Sequence, residues 1–177
     1  MKNLNWPPLI RALHWLTVLL MIVCIGAVWS HEAFDKTNPL RAQLMQVHFL
    51  LGGSIGLQAL LRLVTRALVQ GPLHPMTPLV DLLAKLGHVG LYLLMLVLPI
   101  CGYVAVSGKG LPISLLGLVD IPPLAVSSDV AKGFKELHEG LANGLIALVA
   151  LHVAAALFHA VVLKDQVLQA MLGRASE

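Results

Sequence analysis

Residues 137–152 read L-H-E-G-L-A-N-G-L-I-A-L-V-A-L-H, an apolar run with a histidine near each end, His138 and His152. The run continues through V-A-A-A-L-F-H-A-V-V-L, so residues 137–163 also carry His159 and no charged residue after Glu139. A helix crossing the hydrocarbon of a bilayer needs about 20 predominantly apolar residues. This stretch meets that need without the alternation that marks a membrane strand. An imidazole placed in lipid is costly and points to function by default. On a helix, the 14 residues between His138 and His152 amount to about 21 Å of rise, with both side chains within about 40° of one face. Two imidazoles thus look into the same interior from different depths.

Working outward, residues 9–29, 44–68 and 86–106 form three further runs of the same kind. The expected fold is an all-α integral membrane protein, a four-transmembrane-helix bundle making one domain over residues 1–177. Composition agrees: 58% of residues are hydrophobic and 12% charged, against about 45–50% and 25% in soluble proteins. A formal charge of +3 comes without any basic run, which excludes nucleic acid as a partner and leaves membrane lipid. Lys2 and Arg11 before an apolar stretch resemble a signal peptide. That stretch is long enough to span and no small-x-small cleavage site follows it, so it reads as an uncleaved first helix. Cys24 and Cys101 lie inside apolar runs, outside any C-x-x-C-H or zinc-ribbon spacing, and read as small buried hydrophobes.

The connections are S-H-E-A-F-D-K-T-N-P at residues 30–39, the proline-punctuated Q-G-P-L-H-P-M-T-P at 70–78, and a long third loop over residues 107–136. Within the third, residues 115–119 and 121–126 are apolar enough to lie along the interface. Lys2, Arg11, Arg62, Arg66, Lys85, Lys164 and Arg174 gather on one side; Lys36, Arg41, Lys109, Lys132 and Lys135 lie on the other, offset by six acidic residues. By the positive-inside rule both termini are expected in the cytoplasm of a bacterial inner membrane.

Of eight histidines, five fall inside spans (His14, His48, His88, His152, His159) and His138 sits at the mouth of the fourth; His31 and His74 read as loop residues. His14 precedes Trp29 by 15 residues, which puts it about 22 Å below the outer boundary, while His48 lies just inside the start of the second span. Depth pairs His14 with His152 and His48 with His138. Two imidazoles from different helices at one depth suit a hexacoordinate haem iron, a centre closed to direct oxygen binding and suited to electron transfer. His159 rivals His152 as partner of His14, but it would move the two irons to about 31 Å apart, and tunnelling falls steeply with distance. Gly52, Gly53 and Gly56 after His48, and Gly140 and Gly144 after His138, leave room for a flat porphyrin; helix packing of the small-xxx-small kind is the other reading of these glycines.

At these residues the chain resembles the bacterial cytochrome b561 family, related to the cytochrome b subunits of hydrogenases and formate dehydrogenases. The resemblance rests on R-A-L-H-W at residues 11–15, V-H-F-L-L-G at 47–52, L-G-H-V-G-L-Y-L-L at 86–94, the run 137–152 and K-D at 164–165. It covers nearly the whole chain. It implies two haem b groups, one on His14 and His152 and one on His48 and His138. The length is similar to that of stand-alone members. One such member is a superoxide oxidase that takes electrons from periplasmic superoxide and reduces ubiquinone, and the same activity is what the resemblance implies for this chain.

Around those centres, Arg11, Arg62 and Arg66 are placed where an arginine can pair with a haem propionate; a topology signal that snorkels to the headgroups is the other reading, an equal one for Arg66 and a lesser one for Arg62. His159, Lys164, Asp165 and His88 are candidates for a quinone site on the inner side. Lys109, Lys132 and Lys135 would draw an anion such as superoxide to the outer end, although Asp129, Glu136 and Glu139 make solvated loop charges the blander reading. Pro99 and Gly102 are expected to kink the third helix. Two other function classes fit the pattern: a haem-b electron-relay and membrane-anchor subunit for a dehydrogenase or hydrogenase, which would have a redox-protein donor, and a small transporter whose histidines bind metal or shuttle protons. The second is disfavoured because the histidines lie at two depths and no oxygen-rich or thiolate site accompanies them.

Overall fold

Proline sets three of the four helix starts. In a computed structural model, which describes residues 4–69, 71–72, 77–117 and 119–175, α1 runs Pro8–Ala33, α2 Pro39–Leu68, α3 Pro78–Ser107 and α4 Ser128–Phe158. Pro8, Pro39 and Pro78 stand in the first turn, where a missing N–H breaks no hydrogen bond and the fixed φ already suits a helix. Asn38 caps α2 by accepting from the Leu40 N–H at 3.0 Å, and Ser127 caps α4 by accepting from Val130 at 3.3 Å. His74 and Lys2 lie outside the described residues.

All four helices are long and apolar enough to cross a membrane, and their outward side chains are apolar. Leu57 is 71% exposed and Leu151 65%, a surface that only lipid covers at low free energy. The expected spans and the helices differ at their ends. Helices α2, α3 and α4 each begin several residues before the apolar run does, because hydropathy finds the part that meets lipid while the first turns, side-chain-capped in α2 and α4, project beyond it. His88 and His138 accordingly sit ten residues inside α3 and α4 and do not open them.

The third connection shortens to residues 108–127 and contains a structure not expected from the sequence, an antiparallel hairpin of β1 (Ile113–Leu115) and β2 (Val119–Ile121). Leu116 and Gly117 make the turn at φ 55° and 73°, and Tyr103 fastens the loop by donating to the Pro122 carbonyl at 2.6 Å. At the other end α4 passes into one turn of π-helix, His159–Leu163, ended by Lys164 in the left-handed region at φ 53°. A short helix α5 follows, Val167–Leu172.

Helix α1 lies along α2, α3 along α4, and α2 against α3; α4 makes its close approach to α3 and faces α1 and α2 across a wider separation. The buried core (Cys24, Ile55, Ala59, Met95, Leu98, Leu145) sits at the level where all four helices contribute. Gly56 lets α2 close on α3, since a Cβ there would lie 3.2 Å from the Pro99 ring. At one end of the bundle, the inner end in the expected orientation, the first and last described segments meet: Trp6 N–H donates to the Ala170 carbonyl at 3.2 Å, and Asn5 exchanges hydrogen bonds with the backbone of Ala175. Both ends therefore lie on one face. With the charge bias above, green fluorescent protein fused after Glu177 should fluoresce in a bacterial host and alkaline phosphatase fused there should be inactive. The reverse pattern would overturn the cytoplasmic assignment of both termini.

Candidate functional site

Four histidines face one another in two pairs across the separation between α4 and the α1–α2 pair. At the inner level the His14 and His152 rings have centroids 6.4 Å apart with planes at 54°. At the outer level His48 and His138 are 6.2 Å apart at 86°. The structure thus brings together the partners expected from depth, and places His152, not His159, opposite His14. His88 adds a third ring to the inner group, edge-on to His152 at 5.5 Å.

Two of the rings are held by a backbone carbonyl at Nδ1. His138 Nδ1–H donates to the Leu98 carbonyl of α3 at 2.9 Å, and His88 Nδ1–H donates to Ala84 in its own helix at 2.7 Å. A carbonyl only accepts, so the proton sits on Nδ1 and Nε2 keeps its lone pair, the arrangement of a metal-ligating histidine. His48 Nδ1 lies 3.3 Å from both the carbonyl oxygen and the Sγ of Cys24. The cysteine read as an inert hydrophobe is therefore in contact with the outer pair.

The inner pair has a different neighbour. Arg62 Nη2 is 3.3 Å from His14 Nδ1, and Nη1 donates to the Thr17 hydroxyl at 3.2 Å. Thr17 donates to the Leu13 carbonyl at 2.8 Å and stands 3.1 Å from Gln58 Oε1, while Gln58 Nε2 donates to Leu13 at 2.9 Å. The guanidinium also lies over Tyr92, 5.5 Å from the ring centre. Thr17 and Gln58 are buried and were missed in the sequence. The available signal was their helical spacing: Thr17 one turn beyond His14, and Gln58 one turn before Arg62. Arg62 points into the bundle and does not snorkel. Among the described residues its charge meets no carboxylate, the ion pairs being Lys85–Asp81, Lys135–Glu139 and His159–Asp165.

Other expected site residues are placed as follows. Arg11 turns its guanidinium to the C-terminal segment, where a side chain at Gly173 would collide with it, so Arg62 is the arginine that touches an inner histidine. Arg66 stacks over Trp6 at 4.2 Å. His159 is bonded to the Asp165 carboxylate, whose other oxygen accepts from Val167 N–H at 3.1 Å, and Lys164 is exposed beside them. No atom lies within 4 Å of a Cβ built on Gly52, Gly53, Gly140 or Gly144, whereas Gly56 serves the α2–α3 contact. On the outer side, Lys135 is already paired with Glu139.

A profile described as Prokaryotic cytochrome b561 matches residues 5–174. The chain belongs to that family. The cytochrome is also 35% identical over 130 residues to Cytochrome b561 homolog 2 of Escherichia coli (strain K12), covering 70% of this chain and 69% of the relative. It is 33% identical over 168 residues to the Probable superoxide oxidase CybB of Yersinia pestis, covering 90% and 91%. Cytochrome b561 homolog 1 of Escherichia coli (strain K12) is 29% identical over 164 residues, 92% and 93% of the two chains. Family membership makes the chain a multi-pass membrane cytochrome of bacteria that transfers electrons with b-type haem.

The geometry fits that cofactor. With histidine–metal bonds of about 2.0–2.1 Å and a nitrogen about 1.1 Å from the ring centre, two imidazoles on one metal have centroids about 6.2–6.4 Å apart. Both facing pairs have this spacing, and the His88–His152 separation of 5.5 Å is too short for it. Among the described residues no three His, Cys, Asp or Glu side chains converge as a bare metal ion would need, whereas a porphyrin brings four of its own ligands. The polar network behind the inner pair gives a test of stability. Gln58→Leu should lower the thermal midpoint in detergent by a loss of about 0.6–1.7 kcal/mol, the usual range for an interhelical hydrogen bond in a membrane protein. An unchanged midpoint would show that Thr17 and Arg62 are held without it.

Proposed function

We propose that this cytochrome carries two haem b groups, one held by His14 and His152 and one by His48 and His138, and passes electrons across the inner membrane from periplasmic superoxide to ubiquinone. The two ring separations that match a shared metal carry the reading. A haem held between two of these histidines would supply one-electron chemistry with no open site for oxygen.

The protein's own groups have definable parts in this. His138 keeps its proton on Nδ1, toward the Leu98 carbonyl, and presents a lone pair at Nε2. For His14 to do the same, Nδ1 must hold a proton, and the Arg62 guanidinium beside it is then freed to pair with a carboxylate. A haem propionate is the carboxylate in reach of that reading, since a guanidinium buried in a bundle needs an anion. Gly52 leaves the face one turn beyond His48 bare. Arg11, bound to the C-terminal segment, secures the inner end.

The balance of the reaction is two superoxide, one ubiquinone and two protons giving two dioxygen and one ubiquinol. Each superoxide loses one electron at the outer end, where Lys109 and Lys132 supply positive charge. Protons are needed at the inner end, where His159 is bonded to the Asp165 carboxylate beside the exposed Lys164. His88, at the inner pair, is the other imidazole within that region. A quinone head lodged there would meet the His88 imidazole from α3 and the His159 imidazole from the π-turn.

The superoxide assignment rests on the likeness to the Yersinia pestis relative along nine-tenths of both chains. Purified protein should show a reduced-minus-oxidised b-type spectrum with two haems per chain. His152→Ala and His138→Ala should each lose pigment. Superoxide generated enzymatically should drive ubiquinone reduction. Intact haems without that reduction would remove superoxide as donor, and reduction only by a copurifying dehydrogenase would establish the relay-subunit reading in its place.

A further inference from the structure

His138 belongs to α4, yet its ring is seated on α3. The Leu98 carbonyl that receives its Nδ1–H at 2.9 Å lies mid-helix and offers a second lone pair beyond its helical bond. Access to that oxygen runs over Gly102, one turn further along. A Cβ on Gly102 would lie 3.2 Å from His138 Cε1 and 3.3 Å from Nδ1. That is closer than a side-chain carbon normally stands to a neighbour, so a side chain at this position makes the imidazole shift by a few tenths of an ångström against its acceptor.

We infer that Gly102, on a helix that contributes neither histidine of the outer pair, is a positioning residue for His138: its bare surface lets the imidazole dock on the Leu98 carbonyl and so fixes which nitrogen faces the partner ring and how basic it is. The inference rests on the reading of His48 and His138 as a haem pair. An imidazole that donates to a carbonyl is a stronger electron donor to the metal and favours the ferric state. Moving the ring away from Leu98 weakens that donation and raises the reduction potential of the outer centre. The effect is local. Gly90, nearer the inner end of the same helix, would place its Cβ 3.0 Å from the Leu148 Cδ2 methyl alone, the flexible tip of a side chain and no part of the outer pair. This role differs from the kink expected of Pro99 and Gly102.

The test is a spectroelectrochemical titration of the purified holoprotein, with electron paramagnetic resonance of the ferric form, for wild type, Gly102→Ala and Gly90→Ala. His48→Ala, which removes the outer centre, assigns the two components. In Gly102→Ala the outer component should shift to higher potential and change its low-spin signal, or that haem alone should be lost. The inner component should stay in place, and Gly90→Ala should leave both components where they are. Two unchanged components in Gly102→Ala, or equal movement or loss of both, overturns the inference and leaves the haem reading standing. A wild-type protein purified without haem overturns both.

Discussion

Two imidazoles from different helices share one metal only while their rings stay about 6 Å apart, and lipid supplies no force that holds helices at such a distance. Hydrocarbon chains are as apolar as the side chains they touch, so helices associate through close packing and interhelical hydrogen bonds. Here α1 and α2 are packed together, α3 and α4 are packed together, and α2 meets α3 through Gly56 and the Pro99 ring. Helix α4 is thereby suspended opposite α1 and α2 without collapsing on to them, and His152 and His138 face His14 and His48 across the resulting distance. Helix α3 contributes to neither pair, yet it is the element that sets the spacing of both.

The two levels of the bundle are chemically unlike. The outer rings are steadied by main-chain oxygens, Leu98 for His138 and Cys24 for His48. Main-chain carbonyls suit a membrane interior because they are neutral and already half-satisfied by the helix. The inner level instead holds a charge, Arg62, kept in place by Thr17, Gln58 and the face of Tyr92. A guanidinium in that position is tolerable only with acceptors around it and an anion to meet. The protein supplies the acceptors. Under the proposed reading the anion is a haem propionate, and the inner site differs from the outer one in holding a place for it.

Much of this was legible in the residues. The four spans and the facing of His14 with His152 and of His48 with His138 follow from hydropathy, helical rise and depth, all of them one-dimensional quantities. What escaped reading depends on how helices rotate against each other. Thr17 and Gln58 look like stray polar residues until the α1–α2 contact turns them together. Cys24 is a small hydrophobe by composition and a contact of His48 only by register. Gly56 and Gly52 have the same spacing logic, yet one meets Pro99 and the other meets nothing within 4 Å. The hairpin of the third loop was hidden because its strands are three residues each, too short for alternation to show.

The same consideration explains why Gly102 was read as a kink. In sequence it follows Pro99, and a proline with a nearby glycine inside a helix signals a bend. In space Pro99 lies inside α3, which runs from Pro78 to Ser107, and the glycine's missing side chain also makes room for a neighbour, His138. A glycine in a membrane helix therefore has three separate uses here: an approach of helices at Gly56, a bare face at Gly52, and a seat for an imidazole at Gly102. Spacing along the chain does not distinguish them; the atom that a Cβ would strike does.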